Sequence, residues 1–113
     1  GAAAVEVLKN LGLLTRLEPR FVLGESLGQT FSFVATGNAP LGFVALSQIM
    51  DNDGKITSKG SFWIVPEKLY EPMVQQAVLL KAGENNAAAK AFLAFLKTPV
   101  AQQIITAAGY GVP

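Results

Sequence analysis

Residues 41–46, Leu-Gly-Phe-Val-Ala-Leu, carry no polar side chain at any position. A strand with one solvated face alternates apolar and polar residues, so a continuous apolar run predicts a strand buried on both faces, as in a parallel sheet covered by helices on two sides. Residues 20–23 after Pro19, residues 61–65 (Ser-Phe-Trp-Ile-Val) before Pro66, and residues 77–80 read as three more short strands. Helical patterns lie between and after them. Ala4, Val5, Leu8 and Leu11 recur at helical spacing before Gly12, and Leu27, Phe31 and Val34 share a face between Ser26, a plausible N-cap, and Gly37-Asn38. Two helices close the chain. One runs from about Asn86 with Ala88, Phe92, Phe95 and Leu96 on a face. The other is capped by Thr98, has Pro99 at its first position, carries Ile104, Ile105 and Ala108, and ends at Gly109. The expected fold class is α/β: a three-layer arrangement with a mixed, mostly parallel sheet flanked by helices, followed by a C-terminal helix pair.

A chain of 113 residues, half of them hydrophobic, is long enough for one compact domain or part of one. A net charge of +1 with 15% charged residues provides no basic stripe, which argues against nucleic-acid binding. Histidine and cysteine are absent, so the commonest general base, the thiolate nucleophile and the usual zinc and copper ligands are missing. Binding is therefore expected rather than catalysis, with no cofactor and no metal held directly by side chains. The opening residues lack the positive leader and apolar stretch of a signal peptide and read as helix. No apolar run approaches the roughly 20 residues that span a bilayer.

The turn Gly24-Glu25-Ser26-Leu27 joins an expected strand to a helix start, where free backbone N–H groups and the Ser26 hydroxyl can receive an oxyanion. Most serine N-caps only cap, and Glu25 beside this one repels an anion unless it points away. Ser47 follows the apolar run at 41–46, placing a hydroxyl at the carboxyl edge of an expected sheet, where ligands of α/β folds usually bind. Lys9, Arg16 and Arg20 are scattered and read as solvated charges, as do the glutamates. Phe31, Phe33, Phe62 and Trp63 fit core faces. Asp51-Asn52-Asp53-Gly54-Lys55 has part of a calcium loop's composition without its spacing or closing glutamate, and reads as a turn.

Five segments in order, Leu8-Lys9-Asn10-Leu11-Gly12, residues 37–48 from Gly37-Asn38-Ala39-Pro40 to Ser47-Gln48, Gln75-Gln76-Ala77-Val78-Leu79-Leu80, residues 89–99, and Gly109-Tyr110-Gly111, resemble the periplasmic molybdate-binding proteins of ABC-type uptake systems. The resemblance covers essentially the whole chain but only the second half of that family's length. It implies a type-II binding-protein architecture, with two α/β lobes joined by a hinge and a molybdate or tungstate dianion enclosed between them by neutral donors. Residues 1–66 would form the second lobe, incomplete at its start. Residues 67–113 would hold the return crossover strand and the helix pair that packs on the missing first lobe.

Carried over position by position, the resemblance gives Leu27 a ligating backbone N–H, with Ser26 before it. Ala45 falls where some members place a tyrosine that reaches the anion, Ser47 lies nearby, and Gly1 matches the glycine of a Pro-Tyr-Gly turn. The implied partners are the oxyanion and the membrane permease of an ABC transporter, and the implied location is the periplasm. The isolated chain is expected to bind weakly or not at all, and to self-associate or domain-swap through its uncovered helices. Rival readings are the effector-sensing domain of a transcription regulator, a binder of another oxyanion such as sulfate, and a transferase of the same architecture.

Overall fold

The structure is a computed structural model that describes residues 1–57 and 59–113. The chain divides into two compact units, Gly1–Gln48 with Gly60–Met73, and Ile49–Lys59 with Val74–Pro113.

The first unit is built on helices α1 (Ala2–Asn10), α2 (Leu14–Leu17) and α3 (Leu27–Ala35). Val7 and Leu8 of α1 are buried, whereas Val5 and Leu11 of the expected apolar stripe are exposed, so the buried face is turned from the one the spacing predicts. Two long-range hydrogen bonds fasten α1 to the segment around the 3-10 turn Glu67–Leu69. Asn10 Nδ2 donates to the Leu69 carbonyl (2.9 Å), and the Glu71 amide donates to Glu6 Oε2 (3.1 Å). Helix α3 starts where expected, with Ser26 extended (φ −149°, ψ 163°) and its hydroxyl oxygen accepting from the Gln29 amide.

The second unit contains α4 (Ala87–Phe95) and α5 (Pro99–Ala107). Asn86 caps α4 by accepting from the Ala89 amide (3.0 Å), and Thr98 caps α5 by accepting from the Ala101 amide (3.3 Å). Ala101 and Ile49 are buried. The 51–55 turn forms as its composition predicts. Asp51 Oδ1 accepts from the Asp53 and Lys55 amides (both 2.9 Å), and an isolated antiparallel bridge joins Met50 to Ile56 on either side.

The four expected strands do not form. That bridge is the sole β-pairing among the described residues. Residues 20–23 become the end of a 3-10 turn, Glu18–Arg20, followed by coil; 41–46 is coil running into a second 3-10 turn, Leu46–Gln48; and 61–65 and 77–80 are coil. The backbone is extended at Phe21 (ψ 133°) and Leu80 (ψ 153°), so the local preference survives there while the ladder is missing. A strand is stabilised by pairing with its neighbours, and among the described residues these segments make no ladder hydrogen bonds. Their side chains are correspondingly bare: Leu41 is 86% exposed, and Phe62 and Trp63 are exposed rather than in a core. The mixed sheet is thus replaced by helices and unpaired extended segments.

The accessible surface is 9264 Å². Two separate compact bodies sharing this chain's mass would expose about 7,200 Å² between them. Large apolar side chains are exposed in both units, among them Leu23 (81%) and Leu41 (86%) in the first and Val74 and Val78 (79% each) in the second.

Candidate functional site

Helix α3 begins with its donors divided into two groups. The Gln29 amide is held by Ser26 Oγ (3.1 Å), the Thr30 amide by the Ser26 carbonyl (3.0 Å), and the Glu25 amide by Gln29 Oε1 (2.6 Å). This is a capping box displaced by one residue, because the glutamine at the third helical position reaches the amide before the cap. The amides of Leu27 and Gly28 have no acceptor among the described residues. They stand at the positive end of a nine-residue helix whose start is exposed.

Gln48 brings the second expected element to this helix start. Its Nε2 donates to the Leu27 carbonyl (2.9 Å), and its Oε1 accepts from the Ala45 amide (2.9 Å). Its own amide donates to the Ala45 carbonyl (2.9 Å), closing the 3-10 turn that contains Ser47. One side chain thereby clamps the 45–48 turn to the first residue of α3. Ser26, Leu27, Ala45 and Ser47 are gathered in one place, although 41–46 is not a strand and Ser47 sits in a turn rather than at a sheet edge. Ala45 has no donor to spare, since its amide is bonded to Gln48 and its side chain is a methyl. Gly1 is elsewhere in the bonding pattern: it is the exposed N-cap of α1, its carbonyl accepting from the Val5 amide (3.3 Å).

Two glycines let the flanking extended segments lie against α3. A Cβ at Gly24 would collide with Thr30 Oγ1 and stand 2.9 Å from the Thr30 amide nitrogen, and a Cβ at Gly42 would collide with Val34 Cγ2. Sequence reading missed Gln48 and both close approaches. The glutamine acts across 21 residues, and no local pattern announces such a bond.

The clamp makes a specific prediction. Gln48→Leu removes two hydrogen bonds, worth about 1–2 kcal/mol together. Amide hydrogen exchange at Ala45 should then rise about tenfold. Unchanged exchange there would mean that Gln48 does not hold the turn.

A shallow, open groove on α5 is lined by Pro99, Gln102, Gln103, Thr106 and Ala107; it belongs to the second unit and contains none of the expected site residues. No cluster of three or more His, Cys, Asp or Glu residues suited to a metal ion occurs among the described residues. No helix described is long and apolar enough to cross a membrane.

The family model for bacterial extracellular solute-binding proteins matches residues 1–111. The chain belongs to that family. It is similar to the molybdate-binding protein ModA of Rhodobacter capsulatus, at 54% identity over 110 residues, covering 97% of this chain and 42% of that protein. ModA of Azotobacter vinelandii is 54% identical over 112 residues, covering 99% of this chain and 44% of its own length. ModA of Escherichia coli strain K12 is 31% identical over 112 residues. Among solved structures, the Azotobacter vinelandii periplasmic molybdate-binding protein matches with a TM-score of 0.84 and 46% identity, covering 99% of this chain and 48% of that one. The chain therefore spans somewhat under half the length of these relatives. Its fold is that of a type-II periplasmic binding protein over the matched part, with no sheet among the described residues. Its relatives are binding proteins, in keeping with a binding role rather than catalysis.

Proposed function

We propose that this chain supplies one wall of a periplasmic oxyanion-binding cleft. Molybdate or tungstate would be the cargo, delivered by the complete protein to the permease of an ABC transporter. The carrying observation is the pair of unengaged amides at Leu27 and Gly28, held in place by Ser26 and Gln48. The Ser26 hydroxyl accepts from Gln29 and keeps its proton to offer a dianion. Uncharged dipoles fixed in advance can hold a dianion without a counter-charge once a dry cleft closes over them. In this reading Leu27 and Ser26 touch the anion, Ser47 lines the same turn, and Ala45 serves as an anchor for Gln48. Gly1 would come close only through the other wall. No cofactor enters this reading, and the function is transport without catalysis.

Residues 1–66 would contribute the second lobe, while 67–113 would return to the first, consistent with exposed apolar side chains at Phe92, Phe95 and Ile104. Alone, the chain has one wall of a two-walled cage. Its uncovered apolar surface would drive it to self-associate.

The test uses a chimera in which residues 1–113 replace the matching segment of the Azotobacter vinelandii protein. The chimera should bind molybdate by calorimetry, and sulfate should compete poorly. The 113-residue chain alone should show no rise in melting temperature with molybdate, since a ligand stabilises only what it binds. A chimera blind to molybdate would refute the proposal. A shift of about 4 °C or more in the chain alone, the scale of 1 kcal/mol for a domain of this size, would contradict the need for a second wall.

A further inference from the structure

Gly28 is the one glycine inside an α-helix among the described residues. It is the second residue of α3, and its φ is not positive, so an L side chain fits the backbone there. The space around it is open as well. A Cβ at Gly28 would meet nothing closer than Ser26 Oγ at 3.9 Å, whereas at Gly24 and Gly42 it would collide with side chains of α3. Glycine in a helix is less stable than alanine because more backbone freedom is lost on folding. The fold gives up that stability at Gly28 without filling the space it leaves.

A side chain at this position would lean over the helix start, since Cα–Cβ bonds tilt toward the N-terminus of a helix. That is where the Leu27 and Gly28 amides stand without an acceptor, beside the Ser26 hydroxyl. The direction of the Gly28 amide is fixed from behind. It shares a peptide group with the Leu27 carbonyl, and Gln48 Nε2 donates to that carbonyl (2.9 Å). A hydrogen bond accepted at the carbonyl polarises the N–H of the same peptide group and makes it a better donor. An oriented, unengaged donor thus belongs to the one residue of α3 that carries no side chain.

We propose that Gly28 sets the clearance of the oxyanion site. Its bare Cα lets one oxygen of a tetrahedral dianion reach the Gly28 N–H, and a side chain there would stand in that oxygen's place. Glycine is the residue that permits so close an approach to the backbone. This rests on the oxyanion reading above and adds to it a steric limit and the residue that imposes it.

The test compares the chimera with its Gly28→Ala and Gly28→Leu variants. Alanine and leucine both favour helix over glycine, so the melting temperature without ligand should hold or rise, by about 1–4 °C for a chain of the chimera's length. Molybdate affinity by calorimetry should fall about tenfold for Gly28→Ala and further for Gly28→Leu, as a hydrogen bond to a charged group is lost. A glycine kept for folding would give the reverse, a lower melting temperature with affinity intact. That result, or unchanged affinity in both variants, would overturn the clearance role while leaving the oxyanion reading in place. A parent chimera that does not bind molybdate would overturn that reading and this inference with it.

Discussion

Leu27→Pro should weaken molybdate binding by the chimera about 10- to 100-fold while leaving α3 folded. Leu27 is the first residue of α3, the position where proline is best tolerated because the lost N–H has no helical partner. The preceding residue must then be extended, and Ser26 already is (φ −149°, ψ 163°). The substitution thus deletes one donor and little else, since the leucine side chain is largely exposed. A hydrogen bond to a charged group is worth about 1.5–3 kcal/mol, which gives the expected loss. Leu27→Ala keeps the amide and should bind normally. Calorimetry of the two variants, with circular dichroism to follow the helix, separates backbone ligation from side-chain packing. Equal affinity for both would remove Leu27 from the site.

Gly42→Ala should destabilise the chimera by about 1–3 kcal/mol, because the new methyl overlaps Val34 Cγ2. Gly42 does not have positive φ, so alanine fits the backbone and the effect is steric. Val34 lies on α3, where a β-branched side chain has one strongly preferred rotamer and resists swinging aside. Trimming it by Val34→Ala should therefore make Gly42→Ala nearly harmless, a coupling of about 1 kcal/mol or more. Urea unfolding of the two single variants and the double variant measures it. Additive losses would show that the segment at 41–46 does not press on α3.

The contrast between helices and strands explains what could be read from the sequence. Ser26, Asn86 and Thr98-Pro99 marked their helices correctly because a cap is a bond over three residues, legible wherever the chain is cut or folded. The turn at Asp51 was legible for the same reason. The apolar run at 41–46 predicted burial on both sides and residues 77–80 a further strand, but a strand needs a pairing partner that the run itself does not encode, and Leu41 is exposed. Among the described residues no ladder forms there. Of the candidate site, the helix start was visible in residues 24–29, whereas its attachment through Gln48 and its close approaches at Gly24 and Gly42 were not. All three depend on residues brought together by folding.

The most direct measurement is an NMR titration of the amide-labelled chimera with molybdate. If a dianion is gripped by uncharged dipoles at the start of α3, the Leu27 and Gly28 amide protons should make the largest downfield shifts of residues 1–113, because they gain an acceptor they lack without the ligand. Shifts concentrated instead at Lys9, Arg16 or Arg20, with Leu27 and Gly28 unmoved at saturation, would contradict neutral recognition at this helix.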